Sequence, residues 1–233
     1  MHVIVTGASK GIGNALAREF AKLPKIELYL ISRSESRLEI LAEECRKINP
    51  NAKIIVVPFD LMKLEQVELP AELSVPHVDI LVNNAGFLVK KPFEELQPAE
   101  IKDMIGVNYL APVFLLQKLL GRMGGNRPTH VVNISSMGGF QGSMKFPGLS
   151  LYSSSKAGLA SMTECLAEEY KGKNIFFNCL ALGSVQTEML EEAFPGYKAP
   201  LSPVEMAEYM VNFALSGYRY FNGKILPLSV TTP

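Results

Sequence analysis

The stretch Val3-Ile-Val-Thr-Gly-Ala-Ser-Lys-Gly-Ile-Gly13 contains the pattern that decides the fold. Val3 to Val5 is a short apolar run, which is typical of a buried parallel strand. Three glycines then predict a tight turn, followed by a helix whose apolar residues recur at helical spacing. These are Ile12, Leu16, Phe20 and Leu23. This order of elements places free backbone N–H groups and the positive end of a helix around an anion.

The three glycines of this turn have separate predicted roles. Gly7 allows the turn, Gly11 lets a diphosphate approach the backbone, and Gly13 lets the helix pack close to the strand. A glycine-rich turn by itself also occurs in purely structural loops. Because a strand and a helix flank this one in the correct order, we predict that it binds a dinucleotide.

Length and composition limit the possible classes of protein. With 233 residues and 48% hydrophobic content, the chain predicts a single α/β domain over residues 1–233. Lys+Arg and Asp+Glu both number 23, so no net charge indicates a nucleic-acid or membrane-surface partner. Cys45, Cys165 and Cys179 lack CxxC spacing and are interpreted as small buried residues in a reducing compartment, with no metal site.

Two further features predict a cytoplasmic protein without a membrane partner. The chain enters its first strand at once, which leaves no room for a signal peptide. The most apolar segment, Leu110 to Leu120, is interrupted by Gln117 and Lys118 and is too short to span a bilayer.

Strand-like and helix-like segments alternate along the rest of the chain. Further strands are predicted at 26–31, 52–59, 80–82, 131–134, 175–180 and 224–228, and later helices at 101–120, about 153–170 and 203–215. This alternation predicts an α/β fold, with a doubly wound parallel sheet and helices on both faces. Pro227 lacks an N–H donor, so the last strand is expected at the edge of the sheet. Ligands of such sheets bind beyond the carboxyl ends of the strands.

The end of the second strand indicates which dinucleotide binds. NAD-binding folds place an acid there to hold the ribose 2′-hydroxyl group, whereas this chain has Ser32 and Arg33. Arg33 and Lys10 are suited to pair with a 2′-phosphate from two sides. The alternative is that both are ordinary solvated cations. Glu35 is expected to lie in the helix cap, so we predict NADP(H) as the cofactor.

Three motifs resemble the short-chain dehydrogenase/reductase family when they occur in this order. They are Thr6-Gly-Ala-Ser-Lys-Gly-Ile-Gly13, Asn83-Asn-Ala-Gly86 and Tyr152-Ser-Ser-Ser-Lys156, within a match from Val3 to about Leu228. The resemblance implies a Rossmann-like sheet of seven strands and hydride transfer between a nicotinamide and a carbonyl or alcohol. It also implies that Asp60 holds the adenine amine. The full predicted cofactor set is Gly7, Ser9, Lys10, Gly11, Ile12, Gly13, Arg33, Asp60, Leu61, Asn84, Ala85, Gly86, Tyr152, Lys156, Gly183, Val185 and Thr187.

Tyr152 and Lys156 are the predicted centre of the chemistry. Four residues apart on a helix, they share one face, and the ammonium is expected to lower the pKa of the phenol from about 10. Tyr152 then serves as general acid in reduction or general base in oxidation. The resemblance implies that Lys156 also binds the nicotinamide ribose. It further implies that Ser136, rather than Ser135, binds the substrate carbonyl, and that Asn108 holds a water.

Departures from the family pattern concern the regions that choose the substrate. In Leu182-Gly-Ser-Val-Gln-Thr187 a leucine replaces the usual proline, although Val185 and Thr187 remain to meet the carboxamide. The segment 188–202, which is expected to cover the substrate, is short. The sequence therefore predicts an NADPH-dependent carbonyl reductase or alcohol dehydrogenase for a small to medium ketone, aldehyde or diketone, without naming the compound.

Two other functions stay open from the sequence. A 3-oxoacyl-thioester reductase would need a basic landing site for a carrier protein, and Lys90, Lys91 and Lys145 are the local candidates. A non-catalytic dinucleotide sensor or scaffold is the alternative outside the enzyme class, because fold does not fix function. The complete set of Ser136, Tyr152, Lys156 and Asn108 argues against a sensor.

Two helices predict a homo-oligomer. Residues 105–120 and the helix after Tyr152 carry apolar residues around most of their circumference, as in helices buried on two sides. A two-fold axis would bring both helices against their copies. In the resembling family this contact forms dimers, and a second contact near the C-terminus forms tetramers. Since the chain given ends at Pro233, we expect a homodimer and regard a tetramer as possible.

Overall fold

The computed structural model describes residues 1–230, so Pro233 lies outside the described residues. The strands are β1 (His2–Thr6), β2 (Glu27–Ser32), β3 (Lys53–Pro58), β4 (Ile80–Asn83), β5 (Thr129–Ser136), β6 (Ile175–Leu182) and β7 (Lys224–Leu228). The α-helices are α1 (Gly11–Ala21), α2 (Glu35–Ile48), α3 (Pro98–Ile105), α4 (Ala111–Leu119), α5 (Ser150–Glu169), α6 (Glu188–Ala193) and α7 (Pro203–Ser216).

All seven strands form one parallel sheet in the order β3-β2-β1-β4-β5-β6-β7. The order reverses between β1 and β4, which creates a crevice at the carboxyl ends of these two strands. This is the predicted Rossmann-like α/β fold. The edge position of β7 confirms the expectation from Pro227, which lies opposite Ala181 of β6.

Two apolar cores cover the two faces of the sheet. On one face α1, α2 and α7 pack against the strands through buried residues such as Leu16, Leu38 and Met210. On the other face α4 contributes Leu115 and joins Phe177 of β6 in a second core. The two cores confirm that the sheet is doubly wound.

The helix predicted over residues 101–120 is divided in the structure. A π-helical segment, Gly106–Leu110, separates α3 from α4. Gly106 packs against the Met62 side chain so closely that a Cβ at this position would lie 2.2 Å from Met62 Cε. Apolar spacing does not reveal one extra residue within a turn, so the sequence could not predict this interruption.

The continuous helical run 98–122 has the length and composition of a membrane-crossing helix, and it is the one such run in residues 1–230. The segment 110–120, predicted from the sequence to be too short to span a bilayer, is only a part of this run. Within the fold, Leu115, Leu116 and Leu119 of this run are buried in the second core. Core helices of water-soluble proteins meet the same criteria of length and composition.

The expectation for the cysteines is wrong at one of three positions. Cys45 and Cys179 are buried free thiols, but Cys165 is exposed. Cys165 lies on the outer face of α5 beside the exposed residues Ser161 and Glu168, whereas Thr163 and Ala167 face the core.

Candidate active site

A cleft of about 1020 Å³ lies along the carboxyl ends of the strands, where the fold predicts a ligand. This volume is at the upper end of the roughly 300–1,000 Å³ typical of ligand pockets. Every residue of the predicted cofactor set except Gly13 lines the cleft, and so do Ser136 and Phe87. Asn108 and Gly13 lie behind its wall.

The glycine-rich turn is shaped by close backbone contacts. Gly7 and Gly11 have φ values of 66° and 55°, which favour glycine. A Cβ on Gly13 would lie 2.2 Å from the carbonyl oxygen of Gly7 and 2.6 Å from Asn84 Nδ2. Gly13 therefore lets the start of α1 pack against the turn itself. The space that a Cβ of Gly13 would need is occupied by the peptide group of Gly7.

A hydrogen-bond network joins this turn to the loop after β4. Thr6 Oγ1 accepts hydrogen bonds from the backbone N–H groups of Asn84 at 3.0 Å and Ala85 at 2.9 Å. Asn84 Nδ2 donates to the carbonyl oxygen of Thr6 at 2.9 Å. The side chain of Asn84 thus joins the loop after β4 to the glycine-rich turn, and Asn84 lines the cleft.

Three cations surround the end of the cleft beside β2. Lys10, Arg33 and Arg37 line it, are exposed, and form no ion pair within residues 1–230. Ser32 occupies the position of the acid, and Glu35 does not line the cleft. Arg37 was missed from the sequence, although its position four residues after Arg33, in the first turn of α2, was a usable signal.

Asp60 and Leu61 follow β3 at the same end of the cleft. Asp60 Oδ1 accepts a hydrogen bond from the backbone N–H of Met62 at 3.1 Å and caps a short helical turn. Within residues 1–230 no hydrogen bond is formed by the second carboxylate oxygen of Asp60, which leaves it for another donor such as the predicted adenine amine.

Ser136 and Tyr152 meet at the opposite end of the cleft. Ser136 Oγ accepts a hydrogen bond from the N–H of Gly138 at 3.1 Å and lies beside the phenol of Tyr152, whose pKa it lowers. The neighbouring hydroxyl of Ser135 instead donates to the carbonyl oxygen of Lys156 at 2.8 Å. Of the two serines, Ser136 therefore has the geometry to reach a substrate held beside Tyr152.

The electrostatics of this pair differ from the sequence-based expectation. Burial raises the pKa of Tyr152, and the neighbouring Ser136 hydroxyl lowers that pKa only in part. Lys156 Nζ donates to the carbonyl oxygen of Ile134 at 2.8 Å, and burial lowers the Lys156 pKa to about 8. The expected lowering of the Tyr152 pKa by the ammonium is absent in this structure, because desolvation dominates at both groups.

Asn108 is fully buried within the π-helical segment. Its Oδ1 accepts from the N–H of Phe87 at 2.8 Å, and its Nδ2 donates to the carbonyl oxygen of Phe87 at 2.8 Å and to Ser155 Oγ at 3.0 Å. The side chain thereby fixes the loop after β4 relative to α5. The predicted water contact of Asn108 stays a prediction.

The segment after β6 closes the cleft near Tyr152. Gly183, Val185 and Thr187 all line it, and Thr187 Oγ1 caps α6 by accepting from the N–H of Leu190 at 3.2 Å. Gly183 is required by its neighbour, since a Cβ there would lie 2.4 Å from Ser229 Oγ. Leu182 continues β6, so the absent proline leaves the strand longer than predicted.

The remaining wall near Tyr152 is apolar. It comprises Phe87, Leu88, Met137, Phe146, Leu149, Met189, Leu190, Phe194 and Tyr197. Within residues 1–230, no group of three or more His, Cys, Asp or Glu side chains is placed to hold a metal ion.

Comparisons with known proteins agree with this fold. The short chain dehydrogenase family matches residues 1–198. The 3-oxoacyl-(acyl-carrier-protein) reductase of Aquifex aeolicus is 30% identical, with 96% of this chain and 93% of the relative covered. Levodione reductase has a solved structure that is 26% identical, with a TM-score of 0.84 and coverage of 98% of this chain and 95% of that chain.

The chain belongs to the short-chain dehydrogenase/reductase family. It is an oxidoreductase of CH–OH and C=O groups and uses a nicotinamide dinucleotide, as the family does. Other relatives are longer than this chain. It spans 64% of a ketoacyl reductase of Nostoc, at 34% identity over 80% of this chain, and 53% of bovine 3-ketodihydrosphingosine reductase, at 33% identity over 75% of this chain.

Proposed function

We propose that this protein is an NADPH-dependent reductase of small to medium apolar ketones, aldehydes or diketones. The observation that carries the proposal is the combination, in one cleft, of Ser136 beside Tyr152 and the three cations at the far end. NADPH supplies the hydride. Ser136 orients the carbonyl and stabilises the developing oxyanion, and Tyr152 protonates it.

Lys156 has two roles in this proposal. Its ammonium lies close to Gly86, where a Cβ would be 3.6 Å from Lys156 Nζ, so it reaches the part of the cleft assigned to the nicotinamide ribose. Its charge also assists loss of the Tyr152 proton once both groups face the substrate. Ser135 and Ile134 hold the lysine in place through its backbone and its Nζ.

The preference for NADPH over NADH is part of the proposal. Lys10, Arg33 and Arg37 present three positive charges to the ribose end, with no acid at the end of β2. A 2′-phosphate is stabilised by such a group of cations, whereas a 2′-hydroxyl gains little from them.

A 3-oxoacyl-thioester reductase is the second candidate, favoured by the relative from Aquifex aeolicus. The predicted basic landing site is only partly available for a carrier protein. Lys91 pairs with Glu100, and Lys145 donates to the carbonyl oxygen of Phe140 at 2.6 Å. Lys90 lies over the ring of Phe194.

One experiment separates the two candidates. NADPH oxidation is followed with apolar ketones, aldehydes and diketones, and with 3-oxoacyl thioesters on pantetheine and on a carrier protein. We expect the free carbonyl compounds to be reduced with the higher kcat/KM. A preference for the carrier-bound thioester would establish the second candidate, and no oxidation of NADPH with any compound would contradict both.

We also propose a cytoplasmic homodimer in which one domain serves both cofactor and substrate. Val113 and Phe114 of α4 and Met162 of α5 remain half-buried, and Leu110 is exposed. A second copy related by a two-fold axis would cover these side chains. Light scattering is expected to give a dimer mass, and a monomer mass would contradict this assembly.

A further inference from the structure

Three segments meet at the substrate end of the cleft. They are the loop after β4 with Lys90, the stretch before α5 with Gly148, and the turn after α6 with Phe194. Lys90 Nζ lies 4.0 Å from the centroid of the Phe194 ring. Gly148 has a φ of 81°, and a Cβ there would lie 3.1 Å from Lys90 Cγ, so the Lys90 side chain passes directly over this glycine.

The ammonium of Lys90 contacts the Phe194 ring. Lys90 forms no ion pair with any residue in the range 1–230, whereas its neighbour Lys91 pairs with Glu100. A lysine ammonium over an aromatic face is attracted by the ring quadrupole. Lys90 is exposed, and Phe194 is half-buried and lines the cleft. The contact therefore reaches the cleft wall from outside.

The turn that carries Phe194 is hydrogen-bonded to α6, and its far end is bonded to the segment after β6 through Ala199 and Gln186. The N–H of Phe194 donates to the carbonyl oxygen of Leu190 at 2.8 Å, and the N–H of Gly196 donates to Glu191 Oε1 at 3.0 Å. Gly196 has a φ of 78°. These bonds tie Phe194 to α6, so a contact made by the Phe194 ring bears on the position of α6.

We propose that the Lys90–Phe194 contact holds α6 over the cleft and determines affinity for the apolar part of the carbonyl substrate. Lys90 is a positioning residue, because it acts through Phe194 and does not line the cleft. The substrate class is an uncharged ketone, aldehyde or diketone with an aliphatic or aromatic group beside the carbonyl. This inference rests on the proposed function, since it assigns the substrate of the same site.

The kinetic test uses matched lysine variants. Lys90→Met keeps the aliphatic stem and removes the charge, Lys90→Arg keeps the charge, and Lys198→Met removes an exposed lysine of the same turn. For the best apolar substrate, we expect Lys90→Met to raise KM about threefold, with kcat and the Kd of NADPH unchanged. Lys90→Arg and Lys198→Met are both expected to have the KM of the wild type. An unchanged KM in Lys90→Met would overturn the proposal.

A second test needs no turnover. The chain contains no tryptophan, so Phe194→Trp supplies a single fluorescent reporter in the contact. Adding Lys90→Met is expected to increase acrylamide quenching of this tryptophan, whereas adding Lys198→Met is not. Equal quenching with Lys90→Met and with Lys198→Met would contradict a contact between Lys90 and residue 194. If Phe194→Trp fails to bind NADPH, Tyr197→Trp takes its place as the reporter, with the same expected and overturning results. Increased quenching in a protein that reduces no carbonyl compound would support the contact and contradict the proposed function.

Discussion

Ser135 Oγ donates a hydrogen bond to the carbonyl oxygen of Lys156 at 2.8 Å. This bond joins the end of β5 to the second turn of α5. It fixes the two elements that carry Ser136 and Tyr152, so the distance between substrate-facing groups is set by a buried side chain that does not itself face the substrate. The two adjacent serines therefore have different expected phenotypes.

Ser136→Ala is expected to lower kcat strongly, because the hydroxyl is half-buried and faces the cleft, and to lower the free energy of unfolding by no more than about 1 kcal/mol through loss of the bond from Gly138. Ser135→Ala is expected to lower the free energy of unfolding by about 1 kcal/mol, the usual loss for a buried hydrogen bond. Denaturant titrations and steady-state kinetics of both variants measure the two effects. The assignment of roles would be refuted by the opposite pattern.

Wild-type protein is expected to bind NADPH at least about tenfold more tightly than NADH, a difference of about 1.4 kcal/mol. Arg33→Asp is expected to reverse the order, because the new carboxylate repels a 2′-phosphate and accepts from a 2′-hydroxyl. Arg37→Ala is expected to weaken the binding of NADPH and to leave the binding of NADH unchanged. Fluorescence titration with both cofactors measures these affinities, and equal affinity of the wild type for the two would contradict the prediction.

Gly13→Ala is expected to lose cofactor binding and to lower the free energy of unfolding by about 1–3 kcal/mol, as overpacking does. The new Cβ would lie 2.2 Å from the Gly7 carbonyl oxygen, which is a backbone atom and not the end of a flexible side chain. Gly121→Ala is the matched control, since a Cβ there meets nothing within 4 Å. Cofactor affinity and unfolding curves of the two variants test the prediction. Comparable behaviour of both variants would count against the close packing of the turn.

His130 is expected to make the fold sensitive to acid. In β5 its Nδ1 is 2.9 Å from the carbonyl oxygen of Ala214 and its Nε2 is 3.0 Å from Asn178 Nδ2, so the neutral ring donates at Nδ1 and accepts at Nε2. Burial lowers the pKa of His130 to about 4, whereas the ordinary value is 6.5. Protonation of His130 would turn Nε2 from an acceptor into a donor. This N–H would then face the Asn178 amide, which is itself a donor.

The sign of the effect follows from this lowered pKa. The unfolded chain takes up the proton at a higher pH than the folded chain. The contribution of neutral His130 to the free energy of unfolding is therefore complete above about pH 6.5 and is lost as the pH falls towards 4. The loss is on the order of 3 kcal/mol at most. Unfolding curves between pH 7 and pH 4 are expected to show a smaller decrease in stability for His130→Gln than for the wild type. A parallel decrease in both proteins would exclude His130 as the source.

The elements that repeat along the chain were predictable from the sequence, because apolar periodicity is a local signal. All seven strands were predicted, and the structure places them in one parallel sheet. The carboxyl ends of the strands, which line the cleft, were predicted less well. β5 extends to Ser136, beyond its apolar run, since the hydroxyl of Ser135 is satisfied there by a buried partner, and β6 extends through the apolar residues Ala181 and Leu182.

The site required information that only the folded chain contains. The motifs identified Tyr152, Lys156 and Ser136, but not the effect of burial on the pKa of the first two. The contact of Lys90 with Phe194 joins residues that are distant in sequence, and it follows no motif. Desolvation and tertiary contacts are long-range properties, so spacing in the sequence does not determine them.

The central claim is that the Tyr152 phenol donates the proton in carbonyl reduction. The most direct measurement is the single-turnover rate of NADPH oxidation by wild type and Tyr152→Phe with the best carbonyl substrate, together with the Kd of NADPH for both. The account predicts a rate at least about 10²-fold lower in Tyr152→Phe, as for loss of a general acid, and a nearly unchanged Kd. A near-normal rate in Tyr152→Phe would contradict it.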